Sequence, residues 1–397
     1  MSRRIAPPLP IAGFAVGVVL FWAALYVYVP TLPLHAQSLG AGATMIGLIA
    51  GSYGFTQLIL RIPLGVLSDR LSRRKAFVLL GFVATGVSSA VLALAAGPTY
   101  MLVGRALAGV AACAWVPCTV LFCSFFPPSQ AVRATAIMSF SASFGQMIAT
   151  LSGGYIARGF GTAAPFWVAL AIAGLGLVVM SPTREEKRPA ASSAPSFRAI
   201  LGVLTLPALL SVSLVAAITQ YAAITTSHAF VSVYATEVLK LDPSALGILS
   251  FAALVPNTVM AATVATMATR VREKWLLTAG LLLLAASTAA IPLTGSYAAL
   301  VGARVVFGFG VGLTYPVLMG LSVMSVPQAQ RASAMGAFQA IYALGMTAGP
   351  ALSGFIKDSL GLPAVFYATG AMCLLGLLPM WAGVRAGDRK RENPAHS

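Results

Sequence analysis

A protein that does chemistry needs a nucleophile, a proton carrier or a metal ligand within reach of a partner, and this sequence is sparing with all three. Its histidines are His35, His228 and His396. No Asp or Glu joins them in a pattern that would make a nucleophile with its base or a carboxylate dyad. The cysteines Cys113, Cys118, Cys123 and Cys373 all fall inside long apolar runs, which suits small core residues and yields neither a disulfide framework nor a Cys/His zinc pattern. There is no G-x-x-x-x-G-K-[ST] loop to cradle a nucleotide. The chain is therefore read as a non-enzyme that binds no metal and no cofactor. The residues left with chemistry to offer are charges in apolar surroundings. Arg61, Arg105 and Arg304 lie within apolar runs, where each costs on the order of 2.5 to 3.5 kcal/mol at the bilayer centre. A cavity they faced would favour an anionic or zwitterionic ligand. Arg105 and Arg304 are also repeat partners, which points equally to a packing role shared by two halves.

Proton carriage is the other chemistry to weigh. Asp69, Glu185, Glu186, Glu273, Asp388 and Glu392 fall in breaks on one side of the apolar runs, and Glu237, Asp242 and Asp358 in or beside breaks on the other, leaving no carboxylate at bilayer depth. A buried carboxylate is the natural membrane proton carrier because burial raises its pKa toward neutrality. His228 is the one titratable alternative inside a run with an ordinary pKa near neutrality. It is read either as a coupling site for protons or as a polar cavity or core histidine.

The elements that must position these residues are membrane helices. Only 9% of the residues are charged and 58% are hydrophobic, with a mean hydropathy of +0.89. A soluble domain would carry about a quarter charged residues. Apolar runs of about 20 residues predict twelve spans. The first six are Ile11–Leu32, Thr44–Leu67, Ala76–Ala96, Tyr100–Phe122, Arg133–Ala157 and Ala164–Ser181. The second six are Val203–Ala235, Ser244–Ala268, Trp275–Thr294, Tyr297–Met324, Ala332–Ile356 and Ala364–Val384. Ile11–Leu32 is a span and not a signal peptide, since it is too long and no A-x-A site follows it.

The net charge of +16 and pI of about 10.3 do not indicate nucleic acid, because the basic residues sit in short breaks between spans. Of the 25 Lys and Arg, only Arg158, Lys240 and Lys357 fall on the side opposite the termini, and only Arg61, Arg105 and Arg304 fall inside spans. This asymmetry predicts a multi-pass protein of the cell membrane with both termini cytoplasmic. Residues 182–202 form a polar, Pro/Ser/Ala-rich linker. They divide the chain into an N-terminal six-helix bundle (1–181) and a C-terminal one (203–384), followed by a tail (385–397). A weak internal repeat at a shift of roughly 200 residues relates the two. Gly47 matches Gly247, Arg105 with Pro117 matches Arg304 with Pro316, and Arg133-Ala-Thr-Ala matches Arg331-Ala-Ser-Ala.

The segment Gly65-Val66-Leu67-Ser68-Asp69-Arg70-Leu71-Ser72-Arg73-Arg74-Lys75 reads as a tight basic hairpin between the second and third spans. With the two halves, the linker, Pro30-Thr-Leu-Pro33 and Arg105-Ala-Leu-Ala-Gly109, it resembles the major facilitator superfamily, in particular its twelve-helix efflux branch. The resemblance implies an all-α fold of two pseudo-symmetric six-helix bundles working by alternating access. It also implies a conformational latch in which Gly65, Asp69, Arg70, Arg73 and Arg74 hold the outward-facing state, with Asp69 against the start of helix eleven. A carboxylate there is favoured by the helix dipole. The second half keeps Arg270, Arg272 and Lys274 but has Thr269 where the aspartate would fall, so the latch is expected to be one-sided.

Two departures stand out. The efflux branch carries Gly-Pro in helix five, where this chain has Ala149-Thr150, and the pair occurs instead in helix eleven within Gly345-x-x-x-Gly349-Pro350-x-x-x-Gly354. Small residues at that spacing are expected to pack helices closely. The absence of a membrane carboxylate is the second departure.

In helices that line the family's cavity, the residues expected to meet substrate are Trp22, Tyr26, Gln57, Arg105, Gln146, Gln220, His228, Asn257 and Tyr315. Helix two carries Tyr53, Gln57, Arg61, Gly65 and Asp69 at four-residue steps, but each step turns about 40° past a full circle, so only neighbours share a face. A partly aromatic pocket with few charges suits amphiphilic organic molecules. The expected function is a secondary transporter exporting such compounds, monomeric, with the lipid bilayer, a small-molecule substrate and protons as candidate partners. Import or uniport of a small organic anion, or reception without transport, are the alternatives. The topology predicts that cysteine labels at Ser38 and Ser192 react from opposite faces of an intact cell. Labelling of both from one face would reject it.

Overall fold

A computed structural model describes residues 8–71, 73–127, 130–183, 185, 202, 206–268, 270–324, 326 and 330–382. Nearly all of the linker, the C-terminal tail, Thr269 and the side chain of Asp69 lie outside the described residues, so the latch contact expected of Asp69 does too. The described chain consists of helices α1 (Pro8–Tyr26), α2 (Ala43–Leu71), α3 (Arg74–Ala93), α4 (Pro98–Cys123), α5 (Ala131–Phe160), α6 (Ala164–Met180), α7 (Pro207–Glu237), α8 (Pro243–Met267), α9 (Glu273–Ala290), α10 (Tyr297–Met324), α11 (Arg331–Leu360) and α12 (Leu362–Ala382). Nine of the described helices are long and apolar enough to cross a membrane, and the apolar stretches Ile11–Tyr26 and Ala164–Met180 are shorter. α11 has 30 residues, about 45 Å at 1.5 Å per residue, and carries more polar side chains.

The spans differ from the expected runs in instructive ways. The basic hairpin is mostly helix: α2 continues through Gly65 and Asp69 to Leu71, and α3 restarts at Arg74. The first span is not continuous to Leu32. Pro30 offers no N–H and biases Val29 away from the helical region, so α1 ends at Tyr26 and turns 27–31 lead into a short helix, Leu32–Ser38. α4 breaks at Cys113–Ala114, because Pro117 cannot donate to the Cys113 carbonyl. α7 contains a π-helical turn, Thr226–Phe230, for which no proline is responsible. The Thr226 hydroxyl donates back to the Ala222 carbonyl, a competitor that loosens a helix.

Two compact units emerge, one of 1–41, 55–194 and 241–251, the other of 42–54, 195–240 and 252–397. In the first, α1 packs on α5 and α6, and α3 on α4 and α6. In the second, α7 packs on α11 and α12, and α9 on α10 and α12, which is the same pattern carried over by the repeat. The closest approaches use glycine at matched positions. A Cβ on Gly145 would strike the Val19 carbonyl of α1, and one on Gly345 the Ala217 carbonyl of α7. Gly349 lies against Tyr221, and Gly354 against Ala43 and Thr44. Gly161 and Gly361 end α5 and α11 at φ of 87° and 86°, values that favour glycine.

The first turns of α2 and α8 each count with the unit opposite to the rest of their helix. In the second unit, Gly47, Gly51 and Gly54 face Pro350, Thr347 and Met346 of α11, and Asp358 Oδ2 accepts from Thr44 N–H (2.9 Å) and Oγ1 (2.6 Å). In the first unit, Gly154 of α5 faces Pro243 and Gly247, and Arg158 pairs with Asp242 at 3.4 Å. Asp242 also accepts from the N–H groups of Ser244 (2.9 Å) and Ala245 (3.2 Å) at the start of α8. The Ser244 hydroxyl foremost, then these backbone donors and Arg158, hold its carboxyl below the ordinary carboxylate range. What this carboxylate contributes is present above its ordinary pKa and is lost as pH falls through the depressed value. It is no proton carrier at neutral pH.

Candidate functional site

In the first unit, the end of α1 and the irregular 27–31 segment carry a ladder of aromatic rings. Trp22 stands 5.7 Å from Tyr26 and 5.3 Å from Trp115, which opens the second piece of α4 just after its break. All three are half-buried. The indole N–H of Trp22 is buried with no hydrogen-bond partner among the described residues. Sequence reading chose Trp22 and Tyr26 and missed Trp115; its signal was the Trp-Val-Pro117 sequence, in which the proline breaks the helix and turns the aromatic residue inward.

Arg105 of α4 is not open to a cavity. It is 1% exposed, its Nη1 donates to Tyr28 Oη at 3.3 Å, and its guanidinium lies 5.7 Å from the centre of the Tyr28 ring. Tyr28 in turn stands 5.1 Å from Phe166 of α6.

The second unit repeats this arrangement with other side chains. Arg304 of α10 is 1% exposed, its Nη2 donates to Ser227 Oγ at 2.8 Å, and its guanidinium lies 4.7 Å over Phe307. Ser227 belongs to the π-helical turn of α7. In both halves the arginine follows its partner by 77 residues. So each half has an irregular stretch, after α1 in the first and within α7 in the second, and ties it to a buried arginine of its fourth helix. In both halves the bond goes to a side-chain hydroxyl and so fixes where the irregular stretch sits; π turns recur at functional positions.

His228 shares the π turn and is buried, at 7% exposure. Nearby, Tyr221 Oη and Ser353 Oγ are 3.1 Å apart, and Ser353 is 3.4 Å from Thr225 Oγ1, tying α7 to α11. Gln220, Asn257 and Tyr315 are half-buried, Tyr315 standing 6.1 Å from Tyr342. In the first unit Gln57 is buried, Gln146 and Arg61 are half-buried, and Thr56 donates to the Ala106 carbonyl at 2.9 Å. His35 donates to or accepts from Thr162 Oγ1 through Nδ1 at 2.9 Å and packs on Phe166; burial lowers its pKa and keeps the ring neutral. Ser227, Tyr28, Ser353 and Tyr342 carried no signal in the sequence, being common residues without a motif.

Among the described residues no three His, Cys, Asp or Glu side chains converge as a metal site. Glu237 accepts from Lys357 Nζ at 2.7 and 2.9 Å.

Comparison with known proteins agrees with this architecture. The model of the Major Facilitator Superfamily matches residues 14–235 and 212–397. The Escherichia coli K12 inner membrane transport protein YajR is 26% identical over 365 residues, covering 88% of this chain and 77% of that protein. The multidrug efflux pump LfrA of Mycolicibacterium smegmatis is 26% identical over 413 residues, covering 89% and 80% respectively. Among solved structures, a mutant of the nucleoside transporter NupG superposes with a TM-score of 0.82 at 14% identity, over 94% of this chain and 99% of that one. The human organic anion transporter MFSD10 gives 0.67 at 20% identity, over 94% and 100%. The chain has the all-α fold of these membrane transporters, twelve transmembrane helices in two pseudo-symmetric six-helix bundles.

The two arginine anchors generate a test. Arg105→Lys and Arg304→Lys are expected each to lower the thermal midpoint and to cut transport by about tenfold or more, because a lysine ammonium cannot both reach the hydroxyl and lie flat on the ring. Melting in detergent and flux in vesicles check it. Lysine variants that match the native protein in both would remove the anchoring role.

Proposed function

The chain belongs to the major facilitator superfamily and is a transporter, not an enzyme, and from that premise we propose that it exports small amphiphilic organic compounds by alternating access. The observation that carries this reading is the engagement of both deeply buried arginines within their own halves. Arg105, bound to Tyr28, and Arg304, bound to Ser227, are each 1% exposed, so neither guanidinium is displayed for an anionic substrate to meet. What the first unit presents instead is the half-buried Trp22, Tyr26 and Trp115, with an indole N–H to offer an acceptor. Flat apolar rings with a few polar groups suit amphiphiles. The efflux activity named for LfrA agrees with an outward direction.

In this account substrate lies against the aromatic ladder of α1 and α4, with Gln57 and Gln146 as the polar candidates of the first unit; Gln220, Asn257 and Tyr315 are the polar candidates of the second unit taken by itself. His228 is the proton-coupling candidate, seated on the π turn and buried. Loss and gain of a proton there would change a charge beside the segment that Arg304 anchors, a local event able to bias two conformations. The protein acts as a monomer in the cell membrane, with both termini in the cytoplasm. Import of an organic anion is the rival reading, and the half-buried Arg61 of α2 is what favours it.

Proteoliposomes separate the two. With an imposed pH gradient, a fluorescent cationic amphiphile is expected to accumulate in the native protein, about tenfold less in Trp22→Ala, and without response to the gradient in His228→Ala. A benzoate anion is expected not to move. Benzoate flux without dye flux would establish the rival, and dye binding with no flux of either would reject transport of these classes.

A further inference from the structure

At the turn between α8 and α9 the chain reads Arg270-Val-Arg272-Glu-Lys274-Trp275, three cations against one carboxylate. Arg270, Arg272 and Trp275 are exposed, Trp275 by 53%. Trp381, at the far end of α12, meets Trp275 edge-on, with ring centres 5.5 Å apart at 82°. Lys274 Nζ lies 5.5 Å from the centre of the Trp381 ring. The bodies of the two helices hold the pair in place, since Thr278 Oγ1 meets Met380 Sδ at 3.8 Å one turn deeper.

Below this corner, α12 shows Leu374, Leu375 and Leu378 to the outside, at 48%, 52% and 67% exposure. An apolar track therefore ends at two indoles and a basic cluster. Aromatic rings of this kind settle at the headgroup level of a bilayer, and basic clusters beside them attract anionic lipids.

The repeat-related corner of the first half supplies an independent observation. There the chain reads Arg73-Arg74-Lys75 at the start of α3, and an anion is seated on it: Glu185 accepts from Arg74 N–H at 2.8 Å and from Lys75 N–H at 2.9 Å. The first half meets its basic corner with a carboxylate of its own chain. The second half builds the same corner with tryptophans facing outward.

We propose that Arg270, Arg272, Lys274, Trp275 and Trp381 form a binding site for an anionic phospholipid, its phosphate held by the basic residues and its chains laid along Leu374, Leu375 and Leu378. The indoles wedge between headgroup and chain, and Lys274 is kept over the Trp381 ring by its attraction to that face. The occupant is a lipid and not free phosphate, because the exposed leucine track has no role for an inorganic ion.

The test uses the full chain in phosphatidylcholine nanodiscs doped with brominated phosphatidylglycerol or brominated phosphatidylcholine, reading tryptophan quenching. The part of the signal lost in Trp275→Phe reports this corner. The native protein is expected to quench at several-fold lower mole fraction of the brominated glycerol lipid, and Lys274→Gln alone to weaken that preference by about fivefold, the increment expected of one basic residue near a membrane surface. Excess inorganic phosphate is expected to leave it unchanged. Equal quenching by the two lipids, a preference untouched by Lys274→Gln, or competition by free phosphate would overturn the proposal.

Discussion

A guanidinium inside a membrane protein is the interaction on which this structure turns. Moving one to the bilayer centre costs several kcal/mol, and the cost is removed only if its donors and its flat faces are met by the protein. Arg105 and Arg304 are each met by a hydroxyl on an irregular stretch at or after the first helix of the half and by an aromatic ring, Tyr28 supplying both for Arg105 and Phe307 of α10 supplying the ring for Arg304. The hydroxyls on those stretches hold the arginines, and the arginines in turn fix where the stretches sit. Once α1 leaves helical geometry at Val27 and α7 widens at Thr226, the polar groups there require partners that lipid cannot give.

That reciprocal need explains why the repeat is clearest at these positions. Most residues of the two halves have diverged, yet the separation of 77 residues between hydroxyl and arginine is kept while the hydroxyl itself has changed from tyrosine to serine. Geometry was retained and identity was not. The glycines at 145 and 345 obey the same logic, since each lets a carbonyl of the partner helix come where a side chain would stand. The rest of the packing follows, with α3 and α9 completing their halves against the fourth and sixth helices.

Much of this was legible beforehand, and the reason is chemical. Apolar runs of membrane length have few alternative fates, so the spans were readable, and the basic breaks between them set the topology expected. Helix ends were less readable. Gly65 to Lys75 looked like a loop because it is charged and carries a glycine, but a helix that leaves the bilayer can continue in water, and α2 runs on to Leu71. Pro30 could have marked the break after Tyr26, but the expected first span ran through it to Leu32, and nothing local announced the π turn at Thr226, where a hydroxyl returns to its own backbone. For the site, aromatic and charged residues could be chosen by type; their partners could not. Trp115, Ser227, Tyr28 and Ser353 became visible only when α4 was laid on α1 and α11 on α7. The three intramembrane arginines were ambiguous in sequence, substrate ligand or packing element; Arg105 and Arg304 are 1% exposed in the protein interior, and Arg61 is half-buried.

The anchoring account is tested most directly by a double-mutant cycle in each half, pairing Arg105→Gln with Tyr28→Phe and Arg304→Gln with Ser227→Ala, with unfolding free energy as the readout. If each arginine acts through its hydroxyl, both cycles should show coupling of about 0.5 to 3 kcal/mol of the same sign, the range seen for residues in direct contact. Additive losses in both halves would contradict the account, since the arginines and the irregular first helices would then be neighbours with no energetic tie.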